Sequence, residues 1–308
     1  VRFSLALPVG RRDLDAEFTS PEAIAEMARA VEQAGFDACH VTDHPFPTKA
    51  WLDAGGHHSL DPFVVLAIVG AHTSRLRLHT NAYIPAYRNP FVAAKSAATL
   101  DALTGGRLIL GVAVGYLEGE FDAVGAPFQA RGQLLDGAIE LMLAAWRGEP
   151  LYAEGRGWKA DGNVALPRPA SSPHPPLWIG GNAPAAMRRA VRLGDGWMPF
   201  AAGKRAARAV RSAPIADHDD LRLAIEALRR TAGQAGRTRP LDVCFTPFSH
   251  SHWHDNCDPP ALVRECEPLA EMGVTWAAFH LPAPSRASWL DNVARFGEEA
   301  IAKLRDRD

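Results

Sequence analysis

The chain has 308 residues, 47% hydrophobic and 22% charged, an ordinary balance for a folded globular protein. A formal net charge of −2 provides no broad basic field for nucleic acid. No apolar run reaches the ~18 residues of a membrane helix, and the four cysteines form no CxxC pair and are too few to staple a chain this size.

The first apolar run, residues 2–8, is too short for a signal peptide core, and Arg11 and Arg12 follow rather than precede it. A cytoplasmic protein is the expectation. "SPEAIAEMARAVEQAGF" then predicts a helix, with Ser20 as N-cap, Pro21 at the first helical position and Gly35 as its stop. "DACHVTDH" reads as a second strand and leads into a polar loop that runs to about Leu60. A capped apolar helix ("DPFVVLAIVGAHTS"), a third strand ("LRLHTNAYI") and a third helix ("NPFVAAKSAATLDALTGG") follow. "RLILGVAVG" shows almost no polar alternation, as expected of a strand covered on both faces. "RGQLLDGAIELMLAAWRG" is the fourth helix.

Residues 148–174 interrupt this rhythm with Gly and Pro and predict an insertion that carries one hairpin. The alternation resumes with "PPLWIGG", a helix over 183–192, and "DGWMPF". A helix around 217–235, "PLDVCFTPF", a helix near 260–272, "GVTWAAFHL" and a last helix from about Ser285 complete eight strand–helix units. Repeated βα units imply a parallel sheet, and eight of them close into a (β/α)8 TIM barrel. No linker divides the chain, so one domain over 1–308 is expected, with its insertion after the fourth helix.

In such a barrel the chemistry lies where strands end and βα loops begin. Asp43 and His44 are adjacent titratable groups at the end of strand two. A histidine there can donate or accept a proton, although the same "TDHPFP" also fits a surface turn. Gly180 and Gly181 let a ligand approach the backbone, and Asn182 fits the N-cap of a helix whose free amides suit an anion. A tight strand-to-helix turn with nothing bound explains the same residues. Gly115 has a similar look after strand four, while Glu118, Glu120 and Asp122 read as a solvated face or a helix N-terminus. Lys204, Arg205 and Arg208 fit either a solvated helix face or a site for an anionic tail.

"TDH", "TNAYIPAYRNPFVAAKSAATLDALTGGRLILGVAVGYLEGEFDAVG" and "PRPASSPHPPLWIGGNAPAAMRRAVRLGDGW" together resemble the bacterial luciferase-like monooxygenase superfamily, within it most of all the coenzyme F420-dependent oxidoreductases. The resemblance is strongest over residues 20–200. It implies an oxidoreductase that transfers a hydride between the deazaflavin F420 and a small organic substrate, with an FMN-dependent monooxygenase as the alternative. It places the cofactor phosphate at Gly180, Gly181 and Asn182, a glycine segment at Ala113, Val114 and Gly115, and a non-proline cis peptide at Asn81–Ala82 behind the ring. It assigns the acidic–His pair beside the reactive carbon to Asp43 and His44, and implies a homodimer or larger assembly.

Two other classes compete. A metal-dependent barrel hydrolase is suggested by His250, His252 and His254 at every second position, with His57, His58 and His280 elsewhere. Strand one, "FSLALPVG", has none of the ligands that such an enzyme places there, so no metal site is assigned. A non-catalytic cofactor carrier is disfavoured by the Asp43–His44 pair. Trp51, Phe200, Phe248 and Trp253 are candidates to line an apolar substrate pocket.

Overall fold

Four of the main helices open on the same two-residue signal, a short polar residue followed by proline. Ser20 accepts from Ala23 N at 3.2 Å, Asp61 from Phe63 N and Val64 N, Asn89 from Phe91 N, and Asp258 from Ala261 N. Each proline occupies a position whose amide has no helical partner, and its fixed φ suits the first turn. The computed structural model describes residues 1–250 and 258–305.

Ten strands follow in chain order: β1 (Arg2–Ala6), β2 (Ala38–Val41), β3 (Arg77–Thr80), β4 (Leu108–Val112), β5 (Leu151–Gly155), β6 (Trp158–Asn163), β7 (Leu177–Gly180), β8 (Gly196–Met198), β9 (Asp242–Phe245) and β10 (Trp276–Phe279). Eight close into a parallel barrel in the order β1-β10-β9-β8-β7-β4-β3-β2, the (β/α)8 architecture expected from the alternation. β5 and β6 stand apart as an antiparallel hairpin, inserted after the helix Arg131–Ala145. Trp158 of the hairpin packs edge-on against Phe91, and the returning chain is held where Ser171 N and Oγ donate to the buried Asp101.

Period-two alternation decides what each strand offers to either side. Phe3, Leu5, Leu78, Leu110, Leu177, Ile179, Phe245 and Phe279 face the helices and join the main core. Burial of each stabilises the fold by roughly 1.5–3 kcal/mol. The alternate residues fill the barrel interior: Ala38, Ile109, Trp178, Met198, Cys244, Trp276 and Ala278 cluster there, and the polar Ser4, His40 and His79 share the same parity. Thr80 O lies 2.1 Å from where a Cβ on Gly111 would stand, so β3 and β4 approach this closely only with glycine at that position. Among the described residues, no helix is long and apolar enough to cross a membrane.

Candidate active site

The strand ends open into a cleft of about 580 Å³. Its floor is apolar and small: Ala82, Ala113, Gly180, Met198, Cys244 and Ala278. The peptide between Asn81 and Ala82 is cis, at the position that the family resemblance indicates. Asn81 lines the cleft, and its carboxamide makes no hydrogen bond to other described residues, so it is available to a ligand. Val114 and Gly115 continue the wall beyond β4.

One side of the cleft suits an anion. Gly181 has φ +115°, a left-handed conformation that favours glycine, and opens directly on the helix Pro184–Leu193. That helix has Ala183 at its N-cap, with no side chain on its first amides. The expectation that Asn182 caps it is therefore corrected. The Asn182 amide donates to Phe200 O (2.8 Å) and Ala213 O (2.9 Å), and its carbonyl accepts from Phe200 N (2.9 Å). Asn182 is buried and ties the β8 loop to the loop carrying Arg211 and Ser212, so no side chain caps the helix start, where Ala186 N and Met187 N turn back to Ala183 O.

Two cations missed from the sequence line this side. Arg131 and Arg211 lie over the Phe128 ring at 4.1 and 4.5 Å, and Arg131 begins the helix Arg131–Ala145. Arg211 also pairs with the exposed Glu118 at 2.9 Å. Lys204, Arg205 and Arg208 do not line the cleft and are exposed on a short helix. Arg189 forms the adjoining wall, where Asp136 grips it through two bonds of 2.8 and 3.0 Å. No local signal in the sequence separates Arg131 and Arg211 from the other arginines, because both reach the cleft only through the barrel's closure.

Across the mouth lies a second group, built around His44. Its ring Nδ1 is 3.2 Å from Glu120, which is completely buried. This carboxylate also accepts from Tyr87 Oη (2.9 Å) and Phe46 N (3.3 Å). Glu120 is thus a correction to the solvated-face expectation. Glu118 and Asp122 do face solvent, but Glu120 points inward from the short helix Glu118–Ala123. With Tyr87 Oη and Phe46 N already donating to it, this carboxylate is an acceptor, so the His44 Nδ1 that faces it is a donor. Burial, then the neighbouring Glu120, pushes the Tyr87 phenol well above its ordinary value and keeps it a donor.

Asp43, although adjacent in sequence, does not hold the His44 ring. Its carboxylate takes a two-point grip from Arg88 at 2.6 and 2.8 Å and accepts from Ile84 N at 2.9 Å. Burial opposes the Arg88 charge, but Asp43 outweighs it and holds Arg88 above its ordinary value. Asp43 therefore anchors the backbone just beyond the cis peptide. His44 is not among the residues lining the cleft. It is walled by Trp51 (4.8 Å between ring centres), His57 (5.2 Å) and Tyr116 (6.0 Å), the last of which does line the cleft. Burial lowers His57 and raises Tyr116 to about 12, so both rings are neutral around His44.

Of the aromatic pocket candidates, Phe200 lines the cleft, Trp51 packs on His44, and Phe248 packs on Phe245 and His218. Trp253, His252 and His254 lie outside the described residues.

A closed parallel barrel with a cleft at the carboxyl ends of its strands, arginines in the cleft lining and a carboxylate-held histidine beside it has the layout in which barrel enzymes place their chemistry. The chain belongs to the luciferase-like monooxygenase family, whose model matches residues 1–258. It is 30% identical to an F420-dependent glucose-6-phosphate dehydrogenase of Beutenbergia cavernae, over 95% of this chain and 96% of that one. Its fold is that of the monooxygenase RslO1 of Streptomyces bottropensis (TM-score 0.79, 18% identity, 99% of this chain and 100% of that one). The coenzyme F420-dependent tetrahydromethanopterin reductase of Methanopyrus kandleri shares it too (TM-score 0.74, 18% identity, 98% and 99%).

Proposed function

We propose that this protein is an F420-dependent oxidoreductase that transfers a hydride between the deazaflavin and a small organic substrate. The observation that carries the proposal is the two-sided mouth: an uncapped helix start with Gly181, Ser212, Arg131 and Arg211 on one side, and the His44–Glu120 pair on the other. The F420 dependence of the relative from Beutenbergia cavernae, aligned over nearly the whole chain, supports the choice of cofactor over FMN.

The cleft fits such a group. Gly181 and Ala186 line one side of it, where a Cβ on Gly181 would stand 3.4 Å from that of Ala186, and the small apolar floor beside Ala82 leaves room for a ring. Gly181, Ser212, Arg131 and Arg211 would hold the phosphate and the anionic tail, and Asn81, Ala82, Ala113, Val114, Gly115 and Gly180 would flank the ring. Bound F420 supplies the carbon that takes or gives the hydride. The chain supplies the proton transfer: Nε2 of His44 takes the proton of a substrate hydroxyl as hydride leaves, or returns it in the reverse direction. Glu120 holds the ring in this tautomer and stabilises the charge that it gains, while the aromatic wall limits water.

Replacing His44 tests this division of labour. His44→Ala should lower turnover by ~10²–10⁴ while shifting the F420 dissociation constant far less. Glu120→Gln should lose less, since the amide still fills the site. Full turnover with weakened F420 binding in His44→Ala would make His44 a binding residue and sink the acid–base role.

A homodimer or larger assembly forms part of the proposal. Val64 (63% exposed) on the helix Pro62–His72, with Val92 (61%) and Leu103 (79%) on Pro90–Leu103, supports an apolar face that a second copy covers. Sedimentation of a monomer at micromolar concentration would refute it.

A further inference from the structure

Beneath the cleft, the barrel interior holds a polar chain that the proposed reaction does not use. His40 Nδ1 lies 3.0 Å from Ser4 Oγ, and Ser4 Oγ lies 3.3 Å from His79 Nδ1. His79 Nε2 in turn lies 3.2 Å from the sulfur of Met198. Ser4 and His79 are completely buried and His40 nearly so. Burial, together with His280, holds His40 down to about 3, and burial with His40 beside it places His79 well below its ordinary value. Both rings are therefore neutral, with one proton each.

With Met198 as the acceptor at its end, the chain takes one arrangement of protons. A thioether can only accept, so His79 carries its proton on Nε2 and donates it to Met198. His79 Nδ1 is then an acceptor and must receive the Ser4 hydroxyl proton. Ser4 Oγ, having donated its only hydrogen, accepts from His40, whose proton is on Nδ1. The chain runs in one direction, from β2 through β1 and β3 to β8.

Its last member matters to the site. Met198 forms part of the cleft floor, and its methyl group lies in the gap left by glycine: a Cβ on Gly111 would be 2.7 Å from Met198 Cε, and one on Gly180 would be 3.6 Å away. A methionine has three rotatable side-chain bonds and fills irregular space without a fixed shape unless something holds it.

We propose that His79 is a positioning residue, and that the chain His40→Ser4→His79→Met198 pins the thioether in one conformation to make a rigid floor for the ring bound above it. The part concerning the ring rests on the F420 reading, and the part concerning Met198 does not.

Two measurements on the cofactor-free protein test the chain itself. Long-range ¹H–¹⁵N spectra should show His79 as the Nε2–H tautomer and His40 as the Nδ1–H tautomer. The ¹³C shift of the Met198 methyl should report one conformer, and averaging in His79→Leu. His79→Gln, which retains an N–H donor, should restore the single conformer. Met198→Leu serves if His79→Leu does not fold, and should change the His79 ring signals by removing their acceptor. F420 affinity should fall about fivefold in His79→Leu, as for one lost hydrogen bond, and recover in His79→Gln. Reversed tautomers, an unaveraged Met198 methyl in His79→Leu, or unchanged His79 signals in Met198→Leu would overturn the proposal. F420 affinity unaltered by His79→Leu would overturn its bearing on the cofactor. Wild-type protein that binds no F420 would instead refute the cofactor assignment, and the methyl spectrum would still decide whether His79 pins Met198.

Discussion

Gly181 is where backbone conformation and ligand chemistry meet. Its φ of +115° strains any L side chain, and it lines the cleft just before a helix start that no side chain caps. A carboxylate placed there would fill the space and oppose the phosphate. Gly181→Asp should therefore weaken F420 binding by at least ~1–3 kcal/mol, the scale of a charge-assisted hydrogen bond, in a protein that still folds. Fluorescence titration with circular dichroism measures both. Unchanged affinity in a folded variant would reduce the glycine pair to a turn. His44 makes a related point about neighbours: the carboxylate that governs it is 76 positions away in sequence, and not the adjacent Asp43.

The elements were legible where the signal is local. Cap-and-proline starts at Ser20, Asp61 and Asn89, the unbroken apolar β4, and the glycine-rich hairpin insertion all follow from short-range chemistry that the fold keeps. Glu120 was not legible, because "EGEFDA" offers three acids at alternate positions and only the packing of Phe121 against Tyr87 and Phe128 decides which one turns inward. Asn182 misled for the opposite reason. Its residue type suits a cap, but Phe200 after β8 and Ala213 in the following loop compete for its carboxamide and win with three hydrogen bonds. The polar interior of β1, β2 and β3 also shapes stability. His40 is held to about 3 against an ordinary 6.5, and His79 lies well below 6.5 as well. Between about pH 3 and 6.5 the unfolded chain binds a proton at His40 that the folded chain does not, and His79 acts in the same direction below about pH 6.5. Stability therefore rises with pH through that window and is fully present above it, changing by at most about 1.4 kcal/mol per pH unit for each ring. Urea unfolding at about pH 7 and about pH 4.5 should show a steeper loss in wild type than in a His40→Gln/His79→Gln double variant. Equal losses would contradict this account of the interior.

The whole molecule divides its labour as parallel barrels do. Outward aliphatic side chains secure the helices, and inward ones support the cleft floor. The loops at the carboxyl ends of β3, β4, β7 and β8 line the cleft, and the loop after β2 carries His44 beside it. Family membership is compatible with more than one flavin-type cofactor, so the identity of the cofactor is the claim on which the account stands. Titration of the purified protein with F420 and, separately, with FMN tests it most directly, read by fluorescence and followed by a hydride-transfer assay. The expected result is saturable F420 binding at one per chain, weaker or no binding of FMN, and substrate-dependent bleaching or recovery of the deazaflavin absorbance. A yellow protein that purifies with stoichiometric FMN and has no measurable affinity for F420 would contradict it.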